Sequence, residues 1–162
     1  MTLYYTKTTT PVGKLTLVAN EQSLVAILWE GDSTKRVRLP KLQKNSEHPV
    51  LQETERQLRE YFLGTRDSFD LPLDPQGTHF QQRVWTALRK IPYGETRSYG
   101  ELAKRLGAPK ASRAVGAANG RNPISIVVPC HRVIGSDGSL TGFAGGIKTK
   151  EKLLKLEREI RD

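Results

Sequence analysis

Cysteine is almost absent from this chain of 162 residues, which contains only Cys130. One thiol cannot form an internal disulfide, and the three histidines, His48, His79 and His131, are not spaced like metal ligands. We therefore expect no disulfide framework, no metal and no other cofactor. Long apolar runs are missing too: no stretch approaches the roughly 20 apolar residues of a membrane span, and the polar start lacks a secretory signal. These absences predict a soluble, cytoplasmic protein that does not contact a membrane.

Excess negative charge is also missing, and the positive excess is confined to one part of the chain. The formal net charge is +9. Residues 1–75 carry ten basic and ten acidic side chains, whereas residues 76–162 carry sixteen basic and seven acidic ones. Because Lys and Arg near phosphates release condensed counterions, such a surplus favours a polyanion-binding face. Generic solubility would explain the same surplus, so charge alone leaves both interpretations open.

The first half has the pattern of a small α/β unit. We predict three antiparallel strands, at residues 3–7, 15–18 and 24–29. Apolar residues recur every three to four positions over residues 51–62, which predicts a helix that ends at Gly64. Residues 65–77 contain Asp, Pro and Gly without a helical period, which is typical of a linker. We therefore predict two domains, 1–75 and 76–162.

The second half is predicted to be mainly helical. Thr78 and Ser98 each begin a capping-box pattern, which predicts the starts of two helices. The helix after Ser98 is predicted to end near Gly107, and a short turn leads into residues 111–120. Two short helices joined in this way predict a helix-turn-helix, in a winged-helix-like domain. An ordinary helical hairpin has the same pattern.

The single cysteine follows a β-branched run. Residues 124–128 predict a buried strand that leads to Cys130, and a final helix is predicted over residues 149–161. A lone cysteine is most often a small buried apolar residue. Because a free thiol has a pKa of about 8.5, a nucleophilic role needs a base or a positive field nearby. His131 could supply the base only if the chain turns after Pro129, since adjacent strand residues face opposite sides.

Four short motifs occur in one order in the second half. They are Arg113-Ala114-Val115-Gly116, Asn122-Pro123, Pro129-Cys130-His131-Arg132-Val133 and Gly145-Gly146. Together they resemble the signature of the O6-alkylguanine-DNA alkyltransferase family, closely over residues 76–162 and more loosely over the first strands. The resemblance implies a ribonuclease-H-like first domain. It also implies that the helix-turn-helix enters the minor groove of double-stranded DNA and flips the damaged nucleotide out, because a paired base cannot be reached inside the duplex.

The reaction that the resemblance implies is direct repair of alkylated DNA. An alkyl group passes from O6-alkylguanine, and also from O4-alkylthymine, to Cys130 in a single irreversible turnover. The thioether product has no carbonyl for water to attack, so the thiol is not regenerated. We expect a single-turnover methyltransferase that acts as a monomer, and cooperativity along DNA is left open.

The resemblance also implies a role for each catalytic residue. Cys130 is the nucleophile, His131 is its general base through a bridging water, and Glu157 orients the histidine. Asn122 belongs to the same hydrogen-bond network. Tyr99 stabilises the negative charge that develops on the departing purine. Residue spacing alone does not select the carboxylate, and a solvated helix partner is the alternative interpretation of Glu157.

Two further sets of residues are implied. The DNA-binding set contains Arg113, which takes the place of the flipped base, together with Tyr99, Ser112, Ala114, Ala117 and Arg121. The substrate-pocket set contains Ser125, Val133, Phe143, Ala144 and Gly145. Phe143 and Ala144 stand where family members often carry tyrosine and serine, and Ser125 stands where some have proline. We therefore expect a pocket that accepts alkyl groups larger than methyl.

Three other functions fit parts of the sequence. A thiol hydrolase would use Cys130, His131 and Glu157 as a triad, but it leaves the charge asymmetry unexplained. A recognition module would bind alkylated DNA without reacting, and the presence of Cys130 counts against it. A sequence-specific regulator would need base-reading side chains on the second helix, where alanine and glycine dominate.

Overall fold

The first half forms a four-stranded sheet with one helix packed against it. This computed structural model describes residues 2–161, except for the side chains of 160 and 161. The elements are β1 (Leu3–Thr10), β2 (Gly13–Ala19), β3 (Leu24–Trp29), β4 (Leu42–Lys44) and α1 (Pro49–Leu63). The strand order is β3-β2-β1-β4. The three predicted antiparallel strands are confirmed, and the prediction missed β4, which pairs parallel to β1.

Both faces of this sheet are covered. On one face Leu15 and Leu17 of β2 pack in the main core, to which α1 contributes Leu51 and Leu58. On the other face a smaller cluster includes Val18 of β2 and Val25 and Ala26 of β3; Leu39 and Leu42 pack against it. Burial on both faces explains why β3 reads as an unbroken apolar run rather than as an alternating one.

Local signals determine the ends of several helices. Gly64 follows α1 with φ of 80°, a left-handed conformation that glycine adopts without steric cost, so the predicted helix end is confirmed. The predicted capping boxes are also confirmed. Thr78 precedes α2 (His79–Leu88), and Ser98 precedes α3 (Tyr99–Arg105).

The second half is mainly helical, as predicted. After α3 comes α4 (Ser112–Gly120), and the pair forms the helix-turn-helix. A 3-10 turn (Cys130–Arg132) leads into β6 (Val133–Ile134), which pairs parallel with β5 (Arg97–Ser98). The last helix, α5 (Ile147–Arg161), begins two residues earlier than predicted. Over residues 2–161, none of the helices combines the length and the apolar character that a membrane span needs.

The predicted strand over residues 124–128 is wrong, because this segment is a buried turn. Val127 N donates to Ser125 O and Val128 N donates to Ile124 O, both at 2.9 Å. Ile126 has φ of 73°, which an extended strand does not allow. The β-branched composition therefore reflected burial rather than extension.

The main core continues across both halves of the chain. It includes Leu15 and Leu17 of the sheet together with Val84, Val115 and Leu153 of the helices. A backbone hydrogen bond also joins the two halves: Ile27 N donates to Pro123 O at 2.8 Å. The sheet therefore supports the turn that precedes Cys130.

Candidate functional site

Cys130 begins the 3-10 turn and is 5% exposed. The chain turns directly after Pro129, and Arg132 N donates to Pro129 O at 3.0 Å to close this turn. Such a turn is what His131 needs in order to act on Cys130. Burial raises the pKa of the Cys130 thiol. The Asn122 side chain, by hydrogen bonding, and the positive charge of Lys150 act in the opposite direction.

His131 and Glu157 form a fully buried pair. The distance from His131 Nε2 to Glu157 Oε2 is 2.7 Å, and neither residue is exposed. Burial, the largest influence, raises the pKa of Glu157, but the bonds and charges of His131 and Arg132 together hold it at about 2. Burial lowers the pKa of His131, and Glu157 opposes this shift. A carboxylate therefore faces a histidine that favours its neutral form.

This geometry determines the tautomer of the imidazole. An ionised Glu157 can only accept, so the proton of neutral His131 is assigned to Nε2. Among the described residues, none offers a hydrogen bond to His131 Nδ1, although that atom is buried. Nδ1 therefore carries a lone pair that can accept a proton.

Arg132 and Tyr61 complete the surroundings of the carboxylate. Arg132 Nε donates to Glu157 Oε1 at 2.8 Å, and its Nη2 donates to Oε2 at 3.1 Å. Tyr61 Oη donates to Oε2 at 2.5 Å. Arg132 Nη1 is bound by the carbonyl of Ile91 at 2.7 Å. Because Arg132 and Glu157 each have several hydrogen-bond partners, this ion pair tolerates burial.

Asn122 stabilises the turn before Cys130 from within. Its Nδ2 donates to Val128 O at 2.8 Å, and its Oδ1 accepts from Ile124 N at 3.0 Å. Lys150 lies on the other side of the cysteine in sequence. It is fully buried, and its Nζ donates to Val133 O at 2.6 Å. The structure thus places His131, Glu157 and Asn122, together with one unforeseen cation, Lys150, around the turn that carries Cys130.

The outer face of α4 carries most of the predicted DNA-binding residues. Exposed side chains on this face are Ser112, Arg113, Ala114 and Ala117, whereas Val115, Ala118 and Asn119 point into the protein. A surface concavity of about 460 Å³ is lined by Tyr99, Gly100, Ser112, Arg113, Gly116, Gly135 and Ser136. A helix with small exposed residues allows close approach of a nucleic-acid groove.

Tyr99 and Arg121 have partners within the chain. Tyr99 Oη lies 2.5 Å from Thr141 Oγ1, in the glycine-rich segment after β6. Arg121 Nη1 donates to Lys35 O at 3.0 Å, in the loop between β3 and β4. Arg121 therefore contacts the first half of the chain, at a distance from the concavity beside Arg113.

The predicted pocket residues are divided between three segments. Ser125 lies in the turn before the cysteine, Val133 begins β6, and residues 143–145 precede α5. Ser125, Phe143 and Gly145 all contact one side chain, Trp29 of β3. Val133 is buried, whereas Ala144 is exposed.

Known proteins share both the sequence and this architecture. The family model for the 6-O-methylguanine DNA methyltransferase DNA-binding domain matches residues 79–159, and the model for its ribonuclease-like domain matches residues 3–75. The methylated-DNA–protein-cysteine methyltransferase of Methanosarcina acetivorans is 51% identical over 96% of this chain and 98% of its own length.

The chain belongs to the 6-O-methylguanine DNA methyltransferase family.

Solved structures agree with membership of this family. Mycobacterium tuberculosis OGT in complex with DNA is similar with a TM-score of 0.89 and 46% identity, over 97% of this chain and 94% of that one. The O6-methylguanine-DNA methyltransferase of Pyrococcus kodakaraensis has a TM-score of 0.56 at 26% identity, over 96% and 98%. The predicted family and fold class are therefore confirmed.

Within this methyltransferase fold, sequence reasoning missed four side chains that shape the site: Arg132, Lys150, Tyr61 and Trp29. Arg132 was part of the recognised motif, so its position was visible but its bond to Glu157 was not. Tyr61 and Trp29 lie in the first half, where their patterns indicate only a helix and a strand. Their contacts with the second half depend on tertiary packing, and no local signal identifies them.

Proposed function

We propose that this chain repairs DNA by moving an alkyl group from O6 of guanine to Sγ of Cys130, once per molecule. The observation that carries this proposal is the His131–Glu157 pair, buried on the turn that begins with Cys130. The names of relatives that match along nearly the whole chain support the same reaction. O4-alkylthymine in DNA is a second proposed substrate.

The first step is removal of the thiol proton. Because burial raises the pKa of Cys130, the thiol needs a base to become nucleophilic. Neutral His131 accepts the proton at Nδ1, through a bridging water, while Glu157 holds the Nε2 proton and stabilises the imidazolium that forms. Asn122 keeps the turn in place during this step.

The second step is displacement at the alkyl carbon. A lone pair of Sγ forms the new carbon–sulfur bond, the bond from that carbon to O6 breaks, and its electrons move onto the guanine. Tyr99 Oη leaves Thr141 and donates to the departing base, which lowers the cost of the developing charge. The product is a thioether, so the protein is consumed.

Access to the base requires binding of double-stranded DNA on the α4 face. Ser112, Ala114 and Ala117 are small enough to enter the minor groove closely, and Arg113 fills the space that the flipped nucleotide leaves. Flipping costs a few kcal/mol, which phosphate contacts of the basic second half offset. We assign Arg121 to support of the neighbouring loop as well as to DNA binding, because its guanidinium contacts residue 35.

The remaining proposals concern organisation. We propose that the chain divides after residue 75, that it acts as a monomer, and that it works in the cytoplasm, where it reaches cellular DNA. The pocket is proposed to lie between Ser125, Val133 and residues 143–145, and to admit groups larger than methyl.

Counting turnovers tests this function. The protein is mixed with a tenfold excess of duplex that carries one O6-methylguanine, and the repaired lesions are counted over time. We expect repair to stop at one lesion per protein molecule, and the Cys130→Ser variant to repair none. Continued turnover would support the hydrolase alternative, and binding without repair would support a recognition module.

A further inference from the structure

Trp29 belongs to the sheet of the first half, yet it contacts three of the residues proposed to form the substrate pocket. We propose that Trp29 is a specificity-determining positioning residue, which sets the width of the pocket for the alkyl group. This inference rests on the proposed alkyl transfer to Cys130. It gives the first half a role in substrate choice in addition to support.

The contact with Ser125 fixes the turn before the cysteine. Trp29 Nε1 donates to Ser125 Oγ at 3.0 Å, and the two residues are 6% and 1% exposed. A buried indole N–H without an acceptor is costly, so this bond holds both partners in place. Ser125 is five residues before Cys130, within the turn that Asn122 stabilises.

The contacts with Phe143 and Gly145 fix the opposite segment. The rings of Trp29 and Phe143 meet edge to face, with centroids 5.4 Å apart and an angle of 67° between their planes. A Cβ atom on Gly145 would lie 2.7 Å from Trp29 Cδ2, so only glycine allows the backbone to lie against the indole at this distance. The indole therefore supports the loop directly.

One rigid ring thus holds two segments that flank the cysteine on either side in sequence. The separation between Ser125 and the loop at Phe143 is determined by the indole that fills the space between them. A smaller ring at position 29 leaves the Ser125 hydroxyl without its donor and gives the loop room to move. We therefore expect larger alkyl groups to gain rate relative to methyl.

The chain contains a matched control. Its other tryptophan, Trp85 on α2, is 2% exposed and also donates its indole N–H to one acceptor, the carbonyl of Ala118, at 2.8 Å. That bond joins α2 to the helix-turn-helix. Trp85→Phe thus removes the same kind of bond and the same ring volume, but it leaves the contacts of Trp29 unchanged.

The experiment measures single-turnover transfer from two duplexes of equal sequence, one with O6-methylguanine and one with O6-benzylguanine. We expect Trp29→Phe to raise the benzyl-to-methyl rate ratio about tenfold, the discrimination that one methylene of pocket space typically provides. Trp85→Phe is expected to leave the ratio unchanged, with thermal melting used to show that both variants are folded. If Trp29→Phe and Trp85→Phe have the same benzyl-to-methyl rate ratio, the proposal is wrong.

Ser125→Ala provides a second arm, which also serves if Trp29→Phe does not fold. It removes the acceptor alone, and we expect it to raise the ratio in the same direction. In the double variant the two effects should be less than multiplicative, because both changes break one contact. If Ser125→Ala leaves the ratio unchanged, the proposal is wrong. If the wild-type protein transfers neither group, the proposed function itself fails.

Discussion

In the first half of the chain the buried polar side chains are hydroxyls, amides and one imidazole, whereas the second half buries Arg132, Lys150 and Glu157 beside Cys130. Buried charges are costly unless they are paired and hydrogen-bonded, and they rarely add net stability. The interior of the first half is therefore suited to structural support, whereas the interior of the second half is suited to a reaction. All of the net charge also belongs to the second half.

Removal of one buried charge is expected to have the largest effect. Glu157→Gln leaves Arg132 buried without its counter-charge and removes the acceptor of His131. We expect a loss of about 3–5 kcal/mol in the free energy of unfolding, measured by urea denaturation, and a large fall in transfer rate. The matched control is Glu53→Gln in the first half, where Glu53 pairs with Arg56 on the surface. Equal losses in the two variants would erase the distinction between the halves.

The pH dependence of stability sharpens the same comparison. The pKa of Glu157 is lowered from 4.5 to about 2 in the folded protein, so the ionised form is favoured by folding. Its contribution is present above the unfolded pKa and is lost as pH falls from about 4.5 towards 2. We expect the free energy of unfolding to fall more steeply in this window for the wild type than for Glu157→Gln. Parallel curves would contradict the assignment.

The local structure was largely predictable because its signals lie within a few residues. Gly64 and the capping boxes at Thr78 and Ser98 mark helix ends through short-range bonds. Strand β4 has only three residues and pairs with β1 across some forty positions, so no local pattern indicates it. The turn over residues 124–128 shares its apolar composition with a buried strand, and features that the composition does not encode distinguish the two: the backbone bonds within the turn, the positive φ of Ile126 and the Asn122 bonds.

The candidate site was predictable through its motif but not through its spacing. The resemblance selected Glu157, which lies twenty-six positions from His131, and the structure places them 2.7 Å apart. The partners Tyr61 and Trp29 come from a different part of the chain, and their contacts depend on how the halves pack.

Removal of a surface charge on α4 is expected to have a moderate effect, on DNA binding rather than on the free energy of unfolding. Arg113→Gln should reduce the slope of log K against log salt concentration by about 1, because the guanidinium that we place in the groove releases about one condensed counterion on binding. Lys14→Gln, an exposed change on β2 of the first half, should leave the slope unchanged. Fluorescence anisotropy with an undamaged duplex measures both. Equal slopes would show that α4 does not form the interface.

The smallest expected effect belongs to the first half. Gly64→Ala places a Cβ in the left-handed conformation at the end of α1, which should cost about 1 kcal/mol of unfolding free energy. The rate of methyl transfer should stay at the wild-type value, because the Gly64 N–H bonds only to backbone carbonyls at the end of α1, those of Glu60 and Tyr61. A fall in the transfer rate of folded Gly64→Ala would show that the first half controls the reaction more broadly than through Trp29 and Tyr61.

The proposed mechanism depends most directly on which residue receives the alkyl group. The protein is incubated with excess duplex carrying one O6-methylguanine, and its intact mass and peptide map are then measured. We expect a gain of one methyl group per molecule, on the peptide that contains Cys130, and none in Cys130→Ser. An unchanged mass, or a methyl group on any other residue, would contradict the assignment of Cys130 as the acceptor.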